Sequence, residues 1–190
     1  MSLIEAMVWI ALTTAIMLAL VSSLLYFYRT NTYAIQEANA IASGQRGIDL
    51  MVRTLREMSY SATGGYPILA IGTTTITFYA DINANSSIEK VTYRLQGKSL
   101  LQDIVEPTGN PVLYVATTTT ALVSDYIHNT DQNTSVFTYY DKNGTQINDY
   151  TKTADVRFIS VSLVVDVDTQ HLPSQLILRS SATPRNLVGH

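Results

Sequence analysis

From Met1 to Tyr28 the chain is apolar apart from hydroxyls, and it carries one charged side chain, Glu5. A carboxylate in hydrocarbon costs about 2.5–3.5 kcal/mol on insertion scales and needs a partner. No lysine, arginine or histidine lies between Met1 and Tyr28, so the only cation in that zone is the α-amino group of Met1. Two readings follow. Glu5 can sit at the membrane interface as an acidic first turn, favoured by the helix dipole by roughly 0.3–1 kcal/mol. Alternatively, copies of the chain pack side by side, shifted along the helix axis, so that one copy's Glu5 meets another's Met1 amine.

The other polar groupings carry weaker signals. Asp81, Asn83 and Asn85 have the alternating oxygen spacing of the first half of a calcium loop. Ser86 stands where such loops need glycine and Thr92 where they need a bidentate glutamate, so a polar turn is the expectation. Asp166 and Asp168 share one strand face and could hold a cation, but a solvated strand end explains them as well. His128, His171 and His190 are scattered and form no serine–histidine–acid grouping. Asp103 and Glu106 are close enough in sequence to be considered as paired carboxylates, while Asn85, Asn133 and Asn143 begin N-x-S/T triplets. The 12 tyrosines could enrich an exposed surface or simply populate a sheet. With no cysteine in the chain, thiol catalysis, disulfides and thiolate metal sites are excluded together. The net charge of −3 gives no overall basic field for nucleic acid. Neither an enzyme, a cofactor nor a metal is expected.

The elements that position Glu5 can be read from periodicity. A bilayer core about 30 Å thick takes about 20 apolar residues in a helix, which Met1 to Tyr28 supplies without proline or glycine. Tyr26, Phe27, Tyr28 and Arg29 then suit a membrane boundary. A cleaved secretory signal fits less well, because the run is about twice the usual 7–15 residues and no basic stretch precedes it. Beyond Arg29 an apolar stripe continues through Ile35, Ala38, Ile41, Ile48, Met51, Val52, Leu55 and Met58. Gly44 and Gly47 predict bending or local weakness, and stop signals gather at Ser61–Gly65 and Pro67. A helix to Met58 is roughly 85 Å long at 1.5 Å per residue, so its outer half must pack on something other than lipid.

From Pro67 on, the period becomes two. Ile76, Phe78 and Ala80 alternate, as do Val91, Tyr93 and Leu95, with a hairpin turn at Gly97-Lys98. "DKNG" predicts a second turn, and Ile159, Val161, Leu163, Val165 and Val167 alternate with Ser160, Ser162 and Asp166, before a last strand in "QLILRSS". The segment from Val105 to Thr134 reads as loop, with a short helix or turn around Ala121–Ile127. The fold class is therefore α+β. A helix over 1–60, with 1–28 crossing the membrane, packs its amphipathic half on an antiparallel β-sheet domain over 61–190.

The stretch "SLIEAMVWIALTTAIMLALVSSLL" resembles the mature N-terminus of type IV pilins and type II secretion pseudopilins. In that family an apolar first residue and a hydroxyl/Leu/Ile triplet precede glutamate at the fifth position, a frame matched by Met1, Ser2, Leu3, Ile4 and Glu5. The resemblance implies a pilin-like fold, and a prepilin peptidase that removes a basic leader and N-methylates Met1. It also implies that Glu5 meets a neighbouring subunit's Met1 amine during assembly. Phenylalanine is usual where Met1 stands, and proline is common where Ser22 stands, which bears on whether the helix melts locally in a filament. "ITFYADINANSSIEKVTYRLQGKSLLQ", "FTYYDKNG" and the closing "RSSATPRNL" resemble the larger minor-pilin and J-type pseudopilin branch.

The function so implied is that of a structural subunit of a bacterial type IV pilus or related filament, whose role in motility, adhesion, DNA uptake or secretion the residues leave open. It would be stored in the inner membrane and then assembled into an extracellular or periplasmic fibre. Its partners would be further copies, other pilins, an assembly ATPase and a platform protein, with no direct contact to nucleic acid. A minor pilin or pseudopilin that primes or tips a pilus, competence or secretion filament is the alternative within the family. A bitopic, membrane-anchored extracytoplasmic binding domain is the alternative of another class.

Overall fold

The structure, a computed structural model, describes residues 2–167 and 176–187. It is α+β, with one long helix, α1 (Leu3–Arg56), followed by antiparallel strands. The chain divides into two compact units, the first ending at Asn39 and the second starting at Ala40. The globular unit thus takes in the last turns of α1 as part of its core.

Five strands form the first sheet in sequential order: β1 (Ile68–Ile71), β2 (Thr75–Ala80), β3 (Glu89–Gln96), β4 (Ser99–Val105) and β5 (Thr119–Ser124). The second sheet has the order β7-β6-β8-β9, from β6 (Phe137–Tyr140), β7 (Gln146–Ile147), β8 (Phe158–Val165) and β9 (Leu176–Ala182). The predicted alternation appears as burial: Ile76, Phe78 and Ala80 point inward on β2, Val91 and Tyr93 on β3, and Ile159, Val161 and Leu163 on β8. The β3–β4 hairpin turns at Gly97, whose φ of 60° is costly for residues with a Cβ, and Gln96 pairs with Ser99 across it. "DKNG" is a turn as expected, closed by Asp141 Oδ1 accepting the Asn143 and Thr145 amides at 2.8 Å each.

Two elements differ from the sequence reading. Thr119–Ser124 is an edge strand paired with β4, not a helix or turn. The threonine run behind it is stiff at χ1 and fits a pleated ladder better than a helical turn. The chain reverses only afterwards, with Tyr126 at φ 58°, and Ile127 then bridges to Val165 of β8, joining the two sheets. β1 has only the four residues ILAI and shows no alternation from which to read it.

Of the predicted stripe, Ile48, Met51, Val52, Leu55 and Met58 are buried, each side chain contributing about 1.5–3 kcal/mol of apolar transfer. Ile41 is half-buried, and Ile35 and Ala38 are exposed. Helical geometry continues unbroken through Gly44 and Gly47. Their role is close approach. A Cβ at Gly44 would stand 2.8 Å from Val165 Cγ2 and 2.9 Å from Leu178 Cδ1, while one at Gly47 would meet Ser124 Cβ at 3.2 Å. Both sheets thus press on the helix where it lacks side chains.

Two tyrosines tie the layers through buried hydroxyls. Tyr93 donates to Thr54 Oγ1 of α1 (3.2 Å) and accepts from Gln102 Nε2 (2.9 Å). Tyr139 of β6 donates to the Gly72 carbonyl at 2.9 Å, fastening the second sheet to the β1–β2 turn. Burial pushes the Tyr93 phenol up to about 12 and the Tyr139 phenol higher still.

Candidate assembly site on the N-terminal helix

α1 is long and apolar enough over one window to cross a membrane, and none of that window is buried within the chain. Leu3, Trp9, Ile16, Leu20 and Leu24 all leave more than half their surface uncovered. A core helix of this composition would be covered by its own chain. This one fits membrane anchoring. Two of its hydroxyls are satisfied locally: Thr13 donates to the carbonyls of Trp9 (2.9 Å) and Ile10 (3.0 Å), and Thr14 to Ile10 (2.7 Å). Such back-bonding lets threonine sit in an apolar setting without an orphaned donor. Tyr26, Phe27 and Tyr28 are exposed, with the Phe27 and Tyr28 rings 6.2 Å apart edge to face, just before Arg29.

At the start of α1, Ser2 and Glu5 form a capping box. The Glu5 amide donates to Ser2 Oγ at 3.3 Å, and the Ser2 amide donates to Glu5 Oε2 at 3.3 Å. Two orphan amides of the first turn are satisfied reciprocally. The sequence carries this signal as S-x-x-E at Ser2–Glu5, a spacing that the cost of the charge alone does not reveal. Within its own helix, then, Glu5 already has a hydrogen-bonded role worth on the order of 1 kcal/mol, in keeping with an acidic first turn. Met1, its expected ionic partner, lies outside the described residues.

The remaining candidates fall in separate places. Asp81, Asn83 and Asn85 form a polar turn between β2 and β3. Asp81 accepts the Asn85 and Ser86 amides (3.2 and 2.9 Å), Asn83 also accepts the Asn85 amide, and Asn85 accepts the Ser87 amide. Ser86 holds φ 65° without being glycine. Beneath the turn lies Glu89, fully buried, accepting from the Ile82 amide (3.0 Å) and Asn83 Nδ2 (3.2 Å). Its burial raises the carboxyl above the usual range, aided by the nearby Glu106 and Asp81 charges. Glu89 is not legible as buried, because acidic residues in sequence read as solvated.

Asp103 takes Arg94 as its partner rather than Glu106, with Arg94 Nε at 2.6 Å and Thr120 Oγ1 also at 2.6 Å. The Arg94 hydrogen bond holds the Asp103 carboxyl below its usual range. Register places Asp103 on β4 opposite Thr92 and Thr120, beside Arg94. His128 is buried with Nδ1 2.8 Å from Asp131, and Asp166 is buried at the end of β8, where Val164 is buried as well and the alternation lapses. Asp168, His171 and His190 lie outside the described residues. Asn85, Asn133 and Asn143 are all exposed. Among the described residues no three of His, Cys, Asp and Glu are grouped to hold a metal. Neither a family model nor a curated protein matches this chain.

Proposed function

We propose that the chain is a structural subunit of a bacterial type IV pilus or related filament, assembled through its apolar N-terminal helix and held in the inner membrane beforehand. The observation that carries this reading is the uncovered apolar part of α1, whose one carboxylate up to Tyr28 is Glu5 in the first turn. Packing such helices against one another replaces lipid contacts at little cost, and an ion pair between Glu5 of one copy and the Met1 amine of the next sets axial register. The globular unit would face outward and determine surface chemistry. Motive force would come from an assembly ATPase and platform protein. A minor pilin or pseudopilin that primes or tips the fibre would use the same helix.

The Ser2–Glu5 capping box favours a second reading, a bitopic anchor carrying an extracytoplasmic binding domain, because Glu5 then needs no neighbour. Two variants separate them in cells. Glu5→Ala removes both the cap partner and the intermolecular charge; Ser2→Ala removes only a cap worth about 0.5–2 kcal/mol. In a filament subunit both stay in the membrane, but only Glu5→Ala depletes the sheared-fibre fraction, by about tenfold or more, the effect of losing roughly 1.4 kcal/mol of assembly energy. Equal behaviour of the two variants, or a normal fibre fraction for Glu5→Ala, contradicts the filament reading.

A further inference from the structure

Independently of how the helix assembles, we infer that the solvent face of the second sheet binds an acidic saccharide. A hollow of about 290 Å³ opens on that face. Its floor follows from register: Thr138 on β6 lies opposite Ser160 on β8, and Ser162 on β8 lies opposite Arg179 on β9. Ser135 and Tyr140 also line it, and the Tyr140 ring lies 5.6 Å from that of the exposed Phe158. No carboxylate and no aliphatic side chain lines the hollow among the described residues.

Two features of this face bear on what it can bind. Among the described residues, the hydroxyls of Ser135, Thr138, Tyr140, Ser160 and Ser162 make no hydrogen bond to other groups of the chain, so their capacity as both donors and acceptors points into one space. Arg179, at its edge, has no ion-pair partner among the described residues, whereas Arg94 on the other sheet is engaged by Asp103. A guanidinium presents a planar fork that matches a carboxylate. Sugar hydroxyls are matched by hydroxyls that can both give and accept, and the apolar face of a sugar ring by an aromatic such as Tyr140. The size, at the lower edge of the roughly 300–1,000 Å³ of small-ligand sites, suits a single ring of a longer chain. Charge complementarity with Arg179 selects a uronic-acid type of residue over a neutral one.

The test uses the full chain in detergent micelles and a hyaluronan tetrasaccharide, which alternates glucuronate with N-acetylglucosamine, titrated by saturation-transfer NMR. The tetrasaccharide is expected to bind. Its carboxyl-reduced form, and the Arg179→Gln protein with the unmodified probe, should each bind about tenfold or more weakly, as expected when a charge-assisted hydrogen bond is lost. Ser160→Ala combined with Ser162→Ala should weaken binding with the thermal transition unchanged, which separates the hydroxyl floor from folding. Equal binding of the reduced probe, retention of affinity in Arg179→Gln, or no binding at all overturns the assignment. Displacement by inorganic phosphate as effective as by glucuronate overturns it too, reducing the site to a bare anion contact.

Discussion

Tyr93→Phe isolates the hydrogen bonds that join α1 to the first sheet. The ring is fully buried and stacks on Phe78 with centroids 6.0 Å apart, so phenylalanine keeps the apolar contact and loses only the hydroxyl. That oxygen makes two bonds, to Thr54 Oγ1 and from Gln102 Nε2, each worth about 0.5–1.5 kcal/mol net. Thr54 retains its own bond to the Leu50 carbonyl at 2.9 Å and is not orphaned. Gln102 is buried and left with an amide donor facing carbon, a penalty of roughly 1–3 kcal/mol that small movements relieve in part. The expected loss is about 2–3 kcal/mol, or a fall in Tm of roughly 4–12 °C for a chain this size. Urea unfolding of the full chain at fixed detergent concentration measures it, provided the slope m stays constant. Adding Gln102→Leu should recover much of the loss, since replacing both partners by apolar groups removes the stranded donor. A loss below about 0.5 kcal/mol for Tyr93→Phe would mean that water already satisfies these groups and that the two bonds do not fasten α1 to the sheet.

Gly44→Val adds a side chain whose Cβ alone would stand 2.8 Å from Val165 and 2.9 Å from Leu178. Overpacking of that kind costs about 1–3 kcal/mol, so the urea midpoint should fall; an unchanged or higher midpoint would mean that the sheet does not press on the helix there. Glu89 supplies a pH test. Its folded pKa is raised, so between its unfolded and folded values the native state binds more protons than the unfolded chain, and stability falls as pH rises through that window. The Asp103 shift is downward and acts below the ordinary carboxylate range, where stability is lost as pH falls. In Glu89→Gln the fall above the ordinary range should disappear, and an identical pH profile for the two proteins would contradict the buried-carboxylate account.

The parts of this fold legible in sequence are those where one period dominates. The helix and its buried stripe follow from three- and four-residue spacing, and β2, β3 and β8 from alternation. β5 escapes such a reading because its buried residues are few: threonines and Leu122 face solvent on an edge strand, leaving no alternation. Helix propensity at Gly44 and Gly47 is a local quantity, whereas the use of these glycines lies in contacts more than 70 residues away in sequence. At the candidate site, Glu5 stands out through its cost in hydrocarbon. Its hydrogen bond to Ser2 is a backbone matter, and charge bookkeeping does not register it. The hollow around Arg179 depends on which strands lie side by side, and no local pattern fixes the β8–β9 register that brings Ser162 opposite Arg179.

In the proposed filament Glu5 exchanges its own helix's cap for a neighbour's amine. Cryo-electron microscopy of fibres sheared from cells that express the chain would resolve this contact. Residues 3–28 are expected to form the fibre core, with the Glu5 carboxylate about 2.7–2.9 Å from the Met1 amine of an adjacent copy, the distance of a charge-assisted hydrogen bond. Fibres lacking the chain, or fibres in which Glu5 still bonds to Ser2 of its own helix with no neighbouring amine in reach, would contradict it.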